Sequence, residues 1–148
     1  MATTIAGRLI DLIETNAARL SQSLLESVLS SDRTTDMRRE DSTQLLQRAK
    51  EIYGDLGNWL LTKTDTEIEQ RYRQIGERLA KLGIPESHWV WSIALGRQHL
   101  WRFLQTEAFP EGAFQVFSQL ELVQLLDQFF DRAIYYGILG YEAGRQKS

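Results

Sequence analysis

Apolar residues along this chain return at the spacing of helices, with no convincing strand-like alternation. From Thr4 to Ser30 one stripe is formed by Ile5, Leu9, Leu12, Ile13, Leu20, Leu24 and Val28. The polar run from Ser30 to Asp41, with Asp32, Thr34, Asp36 and Arg38, has no period and reads as a loop, the most mobile internal segment. A second helix is predicted over Ser42 to Leu61, with Leu45, Ala49, Ile52, Leu56 and Trp59 on one side. Gly54 and Gly57 weaken it by about 1 kcal/mol each relative to alanine, which suits close approach to a neighbour. A third helix starts at Thr64, where Thr64 and Glu67 have capping-box spacing. Its stripe is Ile68, Tyr72, Ile75, Leu79 and Leu82, and Gly83 stands where a left-handed C-terminal cap is expected. Pro85 suits the first turn of a fourth helix that runs to about Thr106. Pro110 and Gly112 mark a break, and the longest helix follows, from Ala113 to Gly144.

About five helices with short connections, no internal repeat and no interdomain linker predict a single all-α domain over residues 1–148. The expected architecture is a helical bundle or a globin-like packing with a long C-terminal helix. A content of 43% hydrophobic and 25% charged residues is that of a folded chain. The net charge of -3 argues against nucleic acid as a partner. No apolar run is long enough to cross a bilayer and the N-terminus lacks a signal-peptide pattern, so the expected compartment is the cytoplasm. With zero cysteines, disulfides, thiolate metal sites and cysteine nucleophiles are all excluded. No glycine-rich phosphate loop, His-Glu-x-x-His or Gly-x-Ser-x-Gly occurs. The acidic pairs Glu40–Asp41 and Glu67–Glu69 sit at helix starts, where the macrodipole accounts for them. No catalytic residue, metal ligand or cofactor site is therefore assigned.

On the fourth helix Val90, Ile93, Ala94, Arg97, Trp101 and Leu104 fall within about 60° of one another's mean direction, which predicts a core-facing arc containing Arg97. A guanidinium in that place needs a carboxylate, carbonyls or an anion. Arg97 is either structural or a ligand-binding group, and Asp127 is its expected partner. Arg97, Asp127 and Trp101 together form a candidate internal polar spot. His88 and His99 share the opposite face about 16 Å apart, so one metal ion cannot bridge them. They read as exposed or interface histidines. Trp89, Trp91 and Trp101 lie on three sides of this helix, so at least one is expected against a further helix layer or another subunit.

On the last helix, Ala133, Gly137, Gly140 and Gly144 are spaced by four, three and four residues. This strip of small residues admits a neighbouring backbone, either in ordinary close packing or at a dimer contact. A second apolar group, with Leu122, Leu125, Phe129 and Tyr136, together with Ile134 and Ile138 widens the arc to well over half the helix, against about 100–140° for a one-faced helix. A homodimer contact is expected to cover part of it.

Three segments carry a resemblance: Tyr72-Arg-Gln-Ile-Gly-Glu-Arg-Leu-Ala-Lys-Leu-Gly-Ile-Pro85, Ala94-Leu-Gly-Arg-Gln-His-Leu-Trp-Arg-Phe-Leu104 and Glu121-Leu-Val-Gln-Leu-Leu-Asp-Gln-Phe-Phe-Asp-Arg-Ala-Ile-Tyr-Tyr136. Over Tyr72 to about Tyr141 the chain resembles the N-terminal sensor domains of bacterial stressosome proteins of the RsbR/RsbRD co-antagonist type. Related modules precede some histidine kinases. The resemblance implies a globin-like fold that dimerises and serves as a signal input, in some members without haem, and it supplies no catalytic residues. In that family the domain precedes an output module. This chain would thus act through a separate protein signalling partner or belong to a longer protein.

The expected function is a non-enzymatic sensory or regulatory domain that relays a signal through helix packing and dimer geometry. The alternatives are a haem- or other cofactor-binding sensor globin, with His99 as the candidate haem ligand, and a structural homodimerisation module.

Overall fold

The computed structural model describes residues 5–107 and 114–146. Six α-helices follow one another: α1 (Ile5–Thr15), α2 (Ala17–Ser30), α3 (Ser42–Tyr53), α4 (Asp65–Lys81), α5 (Glu86–Glu107) and α6 (Phe114–Gln146). A 3₁₀ helix (Asp32–Arg39) joins α2 to α3, and a π-helical turn (Asn58–Thr62) precedes α4. Among the described residues there is no strand, so the all-α class holds, with eight helical segments in place of about five. The expected helix start at Thr4, the break at Pro110 and Gly112 and the start at Ala113 lie outside the described residues.

Each extra segment has a local cause. The first expected helix is cut in two at Asn16, whose backbone leaves helical geometry (φ -103°, ψ 17°) while its Nδ2 donates to the Leu12 carbonyl at 2.8 Å. The run from Asp32 to Arg39 is not a loop. Its Thr34 hydroxyl is buried and donates to the Val28 carbonyl at 2.6 Å, and Met37 is 1% exposed. The Asp36 N–H donates to His88 Nδ1 at 3.1 Å, and the Arg33 guanidinium lies 4.5 Å from the ring centroid of Trp91. Polar side chains hold this segment in, so the apolar period that marks the other helices is missing from it.

The second expected helix ends at Tyr53. The π turn then carries Trp59 inward, where its ring meets Tyr72 at 6.1 Å and Phe129 at 5.7 Å between centroids. On α4 the capping box is present, with the Glu67 N–H donating to Thr64 Oγ1 and the Thr64 N–H donating to Glu67 Oε1. Ile68, Tyr72, Ile75, Gly76 and Leu79 are its buried face. Gly83 ends the turn with φ +73°, the left-handed geometry that glycine takes without strain.

The tightest contact in the fold joins α4 to α6. A Cβ at Gly76 would overlap the Gly137 carbonyl, and one at Gly140 would overlap the Arg73 carbonyl. A Cβ at Gly144 would stand 2.9 Å from Ala80 Cβ, and one at Gly137 would strike the Trp89 ring. Ala133, Gly137, Gly140 and Gly144 are all buried, and three of the four are closed off by named neighbours of this same chain. The strip is a close-packing device within the chain.

Helix α5 is apolar on nearly every side, so its pattern leaves its rotation ambiguous. The residues it buries are Trp89, Gly96, Leu100, Phe103 and Leu104, an arc centred near Trp89 and about 100° round from Val90. That rotation puts His88 and His99 on one flank, toward the 3₁₀ helix and α2, and Arg97 on the other, toward α6. Trp91 and Trp101 are half-buried.

Candidate functional site

The expected polar spot does not assemble. Arg97 is half-buried, with its side chain 33% exposed, and its guanidinium carbon lies 5.0 Å from the Phe130 ring centroid. Its Nη2 is 3.8 Å from Asp131 Oδ1, one turn beyond the expected partner. Asp127 is exposed on the outer side of α6, and Trp101 does not meet Arg97 in any ring or hydrogen-bond contact. The physical reason is the rotation of α5: Arg97 sits at the rim of the buried arc, where a long cation covers an aromatic face and keeps one edge in solvent.

The interior charge lies elsewhere. The Glu40 carboxylate has no exposed side-chain surface and is held by two arginines. Arg48 Nη1 donates to Oε2 at 2.8 Å while its Nη2 is 2.6 Å from Oε1, and Arg78 Nε donates to Oε2 at 3.0 Å. Burial by itself would raise the carboxyl's pKa. The hydrogen bond and charge of Arg48, then those of Arg78, outweigh it and hold Glu40 below the usual carboxylate range. Asp41 beside it does what its helix-start position foretells, capping α3 by accepting from the Thr43 N–H at 3.0 Å. Close by, the Tyr141 hydroxyl is buried without a hydrogen-bond partner, and burial pushes its pKa up.

Next to this ion cluster is a cavity of about 90 Å³ whose wall draws on α2, the 3₁₀ helix, α3, α4, α5 and α6. Its existence explains an oddity of α3. The stripe Leu45, Ala49 and Ile52 packs against the core yet is only half-buried, because part of its surface faces the cavity. Leu24 of α2 and Ile93 of α5 face it in the same half-covered way, while Tyr72, Ile75, Trp89 and Phe130 form its deep, buried side. At one end the Tyr53 hydroxyl donates to the Gly96 carbonyl at 3.0 Å and ties the end of α3 to the middle of α5. The apolar stripe on α3 was visible in the sequence. The gap opposite it was not, because a gap is set by how the other helices around it are spaced.

Neither histidine faces this cavity. His99 Nε2 is 2.8 Å from Ser27 Oγ and its Nδ1 is 3.4 Å from Ser23 Oγ, so both ring nitrogens are engaged by α2. His88 Nδ1 accepts from Asp36 as described. A haem would need a histidine nitrogen turned to a pocket several times larger than this one, since ligands of even drug size occupy about 300–1,000 Å³. The geometry gives that alternative no support. Among the described residues no group of three or more His, Asp or Glu side chains is placed to hold a metal ion, and no helix is long and apolar enough to cross a membrane.

Burial, and after it the charge of Arg102, hold His99 below its ordinary value of 6.5. As pH falls through that value the unfolded imidazole takes its proton before the folded one, so stability falls with it. Thermal unfolding from about pH 8 to about pH 5 should therefore cost the wild type more stability than His99→Gln. Equal losses in the two proteins would remove His99 from the account.

No family model, curated protein or solved structure matches this chain.

Proposed function

We propose that this chain is a non-enzymatic sensory or regulatory domain in which an event at the interior cavity is passed by helix packing to α6. The observation that carries this reading is the position of the cavity between two bodies of different stiffness. On one side, α4 and α6 touch backbone to backbone through Gly76 and Gly140, so they shift as a unit. On the other, α3 presents a half-buried stripe to the cavity, and one hydrogen bond from Tyr53 ties its end to α5. Phe130 belongs to both the cavity wall and α6. A change in the cavity's contents or volume therefore acts on a surface of α6 directly.

The resemblance of residues 72–141 to stressosome sensor domains agrees with this reading and adds a homodimer and a protein signalling partner to it. The outer face of α6 leaves Leu120 53% and Tyr135 61% exposed. Such residues are where a second copy or an output protein would receive the shift.

Hydrogen exchange tests the relay. In Ala49→Leu, which fills the cavity from the α3 side, amide protection should change in α3 and also over Gly137–Gly144, beyond the cavity. A change confined to α2, α3 and α5 would remove the relay. Sedimentation equilibrium of the wild type and of Tyr135→Glu decides the homodimer: a monomer in both leaves only the separate signalling partner.

A further inference from the structure

We infer that the cavity is a binding site for a compact, largely hydrocarbon molecule no bigger than one aromatic ring and carrying at most one hydroxyl. This deepens the regulatory reading by naming the class of molecule that would occupy its site.

Size sets the first limit. A cavity of about 90 Å³ cannot enclose a nucleotide, a sugar or an extended chain, and a larger apolar cavity, of about 150 Å³, is dry and takes up benzene. The wall sets the second. Its bulk is hydrocarbon, from Leu24, Val28, Ile52, Ile75 and Ile93, with aromatic faces from Trp89 and Phe130. Its polar groups are already committed. Tyr53 donates to Gly96, the Ser92 hydroxyl donates to the Trp89 carbonyl at 2.6 Å, Arg48 is spent on Glu40, and Glu51 accepts from Arg71 Nε at 2.9 Å. A charged or strongly polar guest would lose its water and find nothing in exchange. The exception is Tyr72. It lines the cavity, is 4% exposed, and its hydroxyl makes no hydrogen bond among the described residues. One small polar group on the guest can be received there and no more.

Two further features favour occupancy by a guest over collapse. The gap cannot close by α4 and α6 sliding against each other, because their backbones already touch. The Tyr53–Gly96 bond fixes the end of α3 beside the middle of α5. A wall held open in this way gains dispersion contacts when a guest of matching shape enters.

The test is a titration of the full chain, labelled with ¹⁵N, with benzene, phenol and acetate. Benzene and phenol should each give saturable shifts at Ala49, Ile93 and Gly96, and acetate none. Phenol should bind about 5-fold tighter than benzene, the worth of one modest hydrogen bond, and Tyr72→Phe should erase that difference while leaving benzene unchanged. Ala49→Leu and Ile93→Phe, each checked for cooperative unfolding, should bind neither. The inference is overturned if the folded wild type binds neither compound, if acetate binds as well, or if both filled variants still bind. A Tyr72→Phe protein that keeps the preference for phenol removes Tyr72 from the site. This equilibrium measurement concerns the guest alone, whereas the exchange experiment on α6 concerns the relay, so each can fail without the other.

Discussion

Alanine at Gly76 or at Gly140 will destabilise the fold by about 3 kcal/mol or more, seen as a lower urea midpoint. The added carbon at either place overlaps a backbone carbonyl of the facing helix, not the far end of a flexible side chain. Neither α4 nor α6 can relieve the overlap by a rotamer change, so the helices must separate, and the aromatic cluster of Trp59, Tyr72, Phe129 and Phe130 that spans them loosens too. Glycine inside a helix ordinarily disfavours it by about 1 kcal/mol against alanine, so the intrinsic preference works in the opposite direction and makes the sign diagnostic. Gly96→Ala is the internal control. Its new Cβ would meet Tyr53 Oη at 3.4 Å and Leu24 Cδ2 at 3.5 Å, ordinary contact distances, and the substitution should be neutral or stabilising by up to about 1 kcal/mol. If Gly76→Ala and Gly96→Ala unfold at the same urea concentration, the backbone contact between α4 and α6 is not as described.

Removing the Glu40 carboxylate is the second large effect. Glu40→Ala leaves Arg48, whose side chain is only 15% exposed, without the charge that compensates it, and a loss of about 3 kcal/mol is expected. Arg78 contributes the smaller share, since its side chain is 55% exposed and solvent screens it. The double substitution Glu40→Met with Arg48→Met should recover much of the loss, because a buried pair replaced by hydrocarbon no longer pays for desolvation. The same group gives a pH signature of defined sign. The folded pKa of Glu40 lies below its ordinary value of 4.5, so its contribution is complete above that value. As pH falls the unfolded carboxyl protonates first, and the contribution is lost progressively until the folded carboxyl protonates as well. Urea midpoints of the wild type and the Met–Met protein should thus lie close together at neutral pH and diverge in acid, where only the wild type loses this contribution. Parallel curves would mean that Glu40 is not the buried anion.

How much of this was legible beforehand differs from element to element. On α4 the apolar stripe, the Thr64–Glu67 box and the glycine cap at Gly83 are local features, each decided by residues within one or two turns, and all three are where the spacing placed them. The small-residue strip on α6 was legible as a place of close approach, but which backbone approaches it is a tertiary fact. Two readings failed for a shared reason. On α5 the apolar residues surround the helix, so choosing Val90 over Trp89 as the centre of the buried arc moved Arg97 into the core on paper and Gly96 out of it. In the run Asp32 to Glu40 the inward residues are Thr34, Met37 and Glu40, two of them polar. Burial achieved through hydrogen bonds and ion pairs leaves no hydrophobic period, so the segment looked like a loop and Glu40 like a helix-start acid. The interior charge was expected, but on the wrong side chain.

The glycine contact between α4 and α6 also bears on how the chain acquires its shape during synthesis. Gly76 and the Gly137 backbone it meets are separated by the whole of α5, so this pairing must close a long loop before it rewards the chain. Translation proceeds from the N-terminus, and the exposed face of α4 has nothing to rest against until Gly144 has cleared the ribosome. A nascent chain halted before that point would display a bare strip of helix backbone beside uncovered Tyr72 and Ile75, a surface suited to chaperone capture.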